Sequence, residues 1–238
     1  MSDLKTQISQ LIAAAGGGRV WVPTDFAQLA TRDAVDKTLQ RLVAGGELRR
    51  IDRGLYDKPV PNKLTHRPNP PDYRAVVEAI ARRDRLRLLV DGMTAANDLG
   101  LTDAVPARVT IHTDARRKSV TLDNLTIEFK PTAPSKLYWA GRPAMRVVQA
   151  LHWLKDAIGS DSDHIVRKLG RVISDPIQGE AIRKDLLEGF SALPIWMQTV
   201  VRELPGCDPN EVIARPNEPG SRRATTTRRA VRRPEASR

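Results

Sequence analysis

The sequence is poor in the groups from which covalent frameworks and metal centres are built. A single cysteine, Cys207, and four histidines in 238 residues exclude a disulfide scaffold and any multi-thiolate metal site. Long apolar runs are also missing. The longest uncharged stretches, Thr6–Gly18 and Gly189–Val201, fall short of the roughly 20 apolar residues that cross a bilayer. The N-terminal residues do not place a basic patch, an apolar run and a cleavage site in the order of a secretion signal. These absences predict a soluble cytoplasmic protein without a membrane partner and without a cofactor. What is present is ordinary for a globular chain, 40% hydrophobic and 28% charged. The length allows one large domain or two small ones with a real core.

Acidic residues are also in short supply. The 28 Asp and Glu face 39 Lys and Arg, a formal net charge of +11, which points to an anionic partner. The excess is uneven: residues 1–70 carry +4, residues 71–214 carry +1 and residues 215–238 carry +6. Apart from alanine and proline, the last segment has only Val231 as an apolar side chain, so it is expected to stay disordered. Pro59, Pro61, Pro68, Pro70 and Pro71 bias the backbone to extended geometry and mark a linker. The expected organisation is a winged helix over 1–58, a linker over 59–71, a mixed domain over 72–214 and an arginine-rich tail over 215–238. No internal repeat is evident.

The first sixty residues follow the order of a winged helix-turn-helix. Leu4, Ile8, Leu11, Ile12 and Ala15 recur at helical spacing until Gly16–Gly18 stops the helix. Arg19–Val22 is short and β-prone, and Pro23-Thr24-Asp25 introduces a brief helix through Phe26 and Leu29. Thr31 caps a third helix with Val35, Leu39, Leu42 and Val43 inward. Leu48–Ile51 and Leu55–Tyr56 form a hairpin around Asp52-Arg53-Gly54.

With that core assigned, the third helix turns Arg32, Asp33, Asp36, Lys37, Gln40 and Arg41 outward. A helix fits the major groove of DNA, where Arg, Lys and Gln meet base edges bidentately. Arg49, Arg50 and Arg53 lie on the hairpin, placed for phosphates or the adjoining minor groove. The candidate DNA contacts are therefore Thr31, Arg32, Lys37, Gln40, Arg41, Arg49, Arg50 and Arg53. Asp33 sits in the first turn, where a carboxylate suits the helix dipole. The bland alternative is a winged helix that docks protein, its charges forming a solvated face.

Three stretches of this region, Trp21–Phe26, Ala34–Leu42 and Gly46–Asp57, resemble the N-terminal domain of AbiEi-type antitoxins. The last, with Arg49-Arg50 before Gly54-Leu55-Tyr56, is the most specific. A second match lies further on. Tyr73, Val76, Val77 and Ile80 make an amphipathic helix. Leu86–Val90, Arg108–Thr113, Lys118–Leu122 and Leu125–Lys130 read as strands. Helices are expected over Met93–Leu99 and Pro143–Ala157, and near 163–174, 178–189 and 195–204. The result is an α+β fold, a small sheet flanked by helices. Within it Gly92–Leu101, Val105–Arg108 and Gly141–Ala144 resemble the effector domain of the same antitoxins.

The resemblance runs from about Leu4 to Ile158 and is absent in the tail. It implies a type IV toxin–antitoxin system acting in abortive infection of phage-infected cells. The partner would be an AbiEii-like nucleotidyltransferase toxin, countered without a stable complex being required. It also implies a winged helix that binds inverted repeats in double-stranded DNA and represses its own operon. Such a protein would be cytoplasmic and nucleoid-associated, monomeric in solution or dimeric on DNA, and not an enzyme.

An enzymatic reading competes with it. Glu128-Phe129-Lys130, with Asp114 or Asp123 upstream, satisfies a loose metal-dependent nuclease pattern in which paired carboxylates hold Mg²⁺ and the lysine activates water. The simpler reading places Leu125, Ile127 and Phe129 inward and leaves Glu128 and Lys130 to solvent. Gly16-Gly17-Gly18 lacks the lysine and hydroxyl that end a phosphate loop. His112, His152 and Cys207 read as packing or surface residues.

Overall fold

The structure, a computed structural model, describes residues 3–104 and 106–210. The arginine-rich segment 215–238, expected to be disordered, lies outside the described residues. The chain opens with α1 (Leu4–Ala14), β1 (Val20–Trp21), a 3₁₀ turn (Pro23–Phe26), α2 (Arg32–Ala44), β2 (Arg49–Asp52) and β3 (Leu55–Asp57). The strands form an antiparallel sheet in the order β1-β3-β2. This is the arrangement of a winged helix. Its middle helix is a single 3₁₀ turn, opened by Pro23 and folded back by Asp25, whose carboxylate accepts the Val22 N–H at 2.9 Å. Ile8, Ile12, Phe26, Val35, Leu39, Leu42 and Leu48 fill the core of this unit, with the Trp21 and Phe26 rings stacked at 5.2 Å.

Residues 59–71 are not a simple spacer. The Asn62 N–H donates to the Arg67 carbonyl at 2.7 Å and the Asn69 N–H to the Val60 carbonyl at 2.8 Å. The Asn62 side chain accepts the Leu64 and Thr65 amides. Proline makes the segment extended, and asparagine folds it back on itself.

The second unit comprises α3 (Tyr73–Asp84), β4 (Leu88–Val90), α4 (Gly92–Asp98), β5 (Arg108–Thr113), β6 (Val120–Leu122), β7 (Leu125–Pro131), α5 (Met145–Leu154), α6 (Ile158–Ile173), α7 (Gly179–Glu188) and α8 (Ile195–Arg202). Its sheet runs β4-β5-β7-β6, with β5 and β7 parallel and the other pairs antiparallel. The expected helix over 143–157 is shorter. It ends at Leu154, and the chain turns directly into α6, which is kinked at Asp161. The molecule is α+β.

Two cores meet at this sheet, one reaching only its β4 edge and the other covering one face. Leu151, Leu169, Ile173, Leu186 and Met197 gather α5–α8 into a helical core that takes Leu89 from β4. On the opposite face Leu88, Val90, Val109, Ile111 and Ile127 pack with Val76 and Ile80 of α3, and with Val20, Val22 and Leu55 of the winged helix. A boundary at residue 58 therefore passes through a shared core. Arg82 adds polar stitching, donating to the Val20 carbonyl at 3.0 Å and reaching Asp25 at 3.5 Å.

Packing explains much of Gly92–Leu101. A Cβ on Gly92 would meet the Gln149 carbonyl and Trp153 Cβ at 2.7 Å, so only glycine lets α4 lie this close to α5. Asp91 caps α4, accepting the Thr94 N–H at 3.1 Å and its hydroxyl at 2.6 Å. The Asp98 carboxylate accepts from Tyr73, Arg74 and Arg146, joining α3, α4 and α5. In Gly141–Ala144, Arg142 pairs with the buried Asp185, which also accepts the Ala144 N–H at 2.9 Å.

Candidate nucleic-acid interface

Helical periodicity divides the outer side of α2 into two rows. Arg32, Asp36 and Gln40 recur every four residues on one row; Asp33, Lys37 and Arg41 form the next, about 100° round the axis. Arg32 Nε donates to Asp36 at 2.8 Å. The apolar side carries Val35, Leu39 and Leu42, with the Thr38 hydroxyl returned to the Ala34 carbonyl at 2.8 Å. Thr31 holds the N-cap position, but its side chain makes no capping hydrogen bond. Asp33 occupies the first turn and Arg41 the last, each at the dipole end that favours its sign.

Strand alternation then separates the wing arginines. Arg50 is exposed on the same side as the Arg32/Gln40 row, whereas Arg49 points the other way. Arg49 pairs bidentately with Asp57, its cross-strand partner, at 3.0 and 2.6 Å, and donates to the Asn69 carbonyl at 3.0 Å. The hydrogen bond from Arg49 to the nearly buried Asp57 raises the guanidinium pKa above its ordinary value. Arg49, expected as a phosphate contact, is engaged within the protein, where its guanidinium closes the base of the wing and anchors the folded-back segment. Arg53 sits at the wing tip with an exposed side chain, beside Gly54 at φ +68°.

The tip is braced from the second unit. Arg83, at the end of α3, donates to the Arg53 carbonyl and pairs with Asp84 at 2.7 Å. Arg117, between β5 and β6, contacts Asp84, approaches Asp52 of the wing at 3.6 Å and lies over the Phe129 ring at 5.2 Å. Burial, with Arg83 alongside, pulls the Arg117 pKa below its ordinary value, while the hydrogen bonds from Arg83 lower that of Asp84.

Between α2, the wing and this brace lies an open polar cleft of about 820 Å³. Arg32, Gln40, Arg50 and Arg53 line it together. Thr31, Lys37 and Arg41 are exposed on the neighbouring surface and do not line it. Arg83, Arg116, Arg117 and Lys118 complete the walls, opposed by Asp36, Asp52 and Asp84. The basic run 116–118 is visible in the sequence, but the pattern that starts a strand at Lys118 hides its role, since the strand begins only at Val120.

Of the nuclease pattern, Glu128 and Lys130 share one face of β7, whereas Asp114 and Asp123 lie outside the strands. Glu128 pairs with Arg108 at 3.0 Å, and its neighbour on the parallel strand is Thr110. Asp114 lies beyond the end of β5, where it accepts the Arg87 N–H, and Asp123 lies in the β6–β7 turn. Among the described residues no group of three or more His, Cys, Asp or Glu side chains could hold a metal ion. His112 hydrogen-bonds Thr132 at 2.9 Å, and His152 meets the Trp196 ring edge-on. Cys207 is buried, which pushes its thiol pKa up to about 11. No helix among the described residues is long and apolar enough to cross a membrane.

Comparison with known proteins gives a family without a function. The model of DUF6088, a family of unknown function, matches residues 7–174. No curated protein matches the chain. The crystal structure of the RV2827C protein from Mycobacterium tuberculosis is similar at 19% identity with a TM-score of 0.37, covering 88% of this chain and 79% of that one.

Proposed function

Because the chain belongs to DUF6088, a family of unknown function, its role must be argued from its own surface, and we propose that it is a double-stranded DNA-binding repressor. The observation that carries this reading is the convergence of Arg32, Gln40, Arg50 and Arg53 on one cleft beside the outer side of α2. Gln40, two turns into α2 and exposed, suits bidentate contact with an adenine edge, as Lys37 and Arg41 suit guanine. Arg50 and Arg53 then meet phosphates beside the groove. Asp36 opposes indiscriminate binding by holding Arg32 until a correct contact replaces it.

The physiological setting we propose follows the AbiEi-like resemblance. The protein represses its own operon from inverted repeats, acts in the cytoplasm on the nucleoid and counters a nucleotidyltransferase toxin as the antitoxin. Inverted repeats take two copies, gathered on DNA by symmetry. Footprinting the promoter of the protein's own operon tests the repressor reading. Protection of spaced repeats is expected, and absence of protection at moderate salt overturns it. Co-expression with the neighbouring toxin tests the antitoxin reading, since growth should be restored only with this chain present.

A further inference from the structure

We infer that the β5–β6 connection of the second unit is a phosphate-contacting element facing the wing, so that the DNA backbone runs between Arg50 and Arg53 on one side and Arg116 and Lys118 on the other. This inference rests on the DNA-binding reading above and extends it to residues outside the winged helix.

Three observations support it. Arg116 and Lys118 are exposed and line the same cleft as Gln40 and the wing arginines. Neither makes an ion pair among the described residues. The residue between them has the opposite fate. Arg117 is largely buried, bound to Asp84 and close to Asp52, and packed over Phe129. Its Nε lies buried without a hydrogen-bond partner, which is a cost no surface loop needs to carry. Arg117 thus acts as a positioning residue, fixing the connection against the wing while Arg116 and Lys118 project beside it.

The chemistry selects the ligand. A cleft open along one side, lined by exposed cations with a reading helix on one wall, suits the repeating charge of a phosphodiester backbone. Opposing carboxylates, Asp36, Asp52 and Asp84, keep the cations apart and prevent them from binding every duplex equally. Contacts from the second unit add affinity and register without reading bases.

The test uses the full chain and a 30-base-pair duplex of arbitrary sequence, with binding followed by fluorescence anisotropy across a salt series. The double variant Arg116→Ala/Lys118→Ala is expected to lower the slope of log affinity against log salt by about two units, near 0.9 for each phosphate that is no longer neutralised. Arg167→Ala/Arg171→Ala removes two exposed cations from α6, outside the cleft, and should leave the slope unchanged. If the first variant keeps the wild-type slope, or the second lowers it equally, the β5–β6 connection does not touch phosphate. If the wild-type chain binds no duplex, the DNA-binding reading itself falls and this inference with it.

Discussion

The outer side of α2 with the wing and the outer face of the four-stranded sheet contain the same ingredients arranged to opposite ends. On the sheet, Arg108 pairs with Glu128, and His112 stands beside Lys130 while bonding to Thr132. Of the cations there, Arg108 has its partner across the strands, and Lys130 is a lone exposed cation with no ion pair among the described residues. On α2 and the wing, Lys37, Arg41, Arg50 and Arg53 make no ion pair among the described residues. A cation with a partner indicates structure; several cations left together beside a groove-sized helix indicate a ligand. Arg49 and Arg50 show the same division between adjacent residues of one strand.

The sharpest way to break that division is Arg49→Ala. It leaves the nearly buried Asp57 without its counter-ion and should cost about 3 kcal/mol of stability, measured by urea unfolding. The DNA salt slope should remain that of the wild type under conditions where the variant is folded. A destabilisation below about 1 kcal/mol would return Arg49 to the DNA-facing surface. Gln40→Ala should reduce discrimination between the operator and base-substituted operators by about 1–3 kcal/mol. Unchanged relative affinities would show that α2 does not read bases through this row.

Arg50→Ala and Arg53→Ala should each lower the salt slope by about 0.9 with operator preference retained. A variant that alters preference instead would place its side chain in the minor groove. The smallest effect is expected for Glu128→Ala combined with Lys130→Ala, within about 0.5 kcal/mol for each substitution and neutral for DNA binding. Magnesium-dependent cleavage by the wild type that disappears in this variant would make the sheet face a site after all.

Helix placement is legible in the sequence because buried aliphatics recur at helical spacing, as Val35, Leu39 and Leu42 show. The fate of Arg49 is written less openly. Alternation sends neighbouring strand residues to opposite faces, and the hairpin register sets Asp57 opposite Arg49, but three arginines close together read as one basic patch. The contribution of residues 116–118 depends on packing between segments more than sixty positions apart in the chain, which local patterns do not encode. Val20, Val22 and Leu55 look like members of a small winged-helix core. They belong instead to the core beneath β4–β7, because the wing sheet has a second apolar face.

If two molecules bind one operator as proposed, that shared core fixes how they can sit on it. A reading head on a loose tether would tolerate variable distance between repeats, swinging to reach each one. Here Leu55 and Val22 are interleaved with Ile80 and Val109, so the whole body must travel with α2 around the duplex. Inserting about half a helical turn, roughly five base pairs, between repeats places the two bodies on opposite sides of the DNA. Cooperation between copies that depends on one body touching the other would then vanish, even though each half-site remained intact.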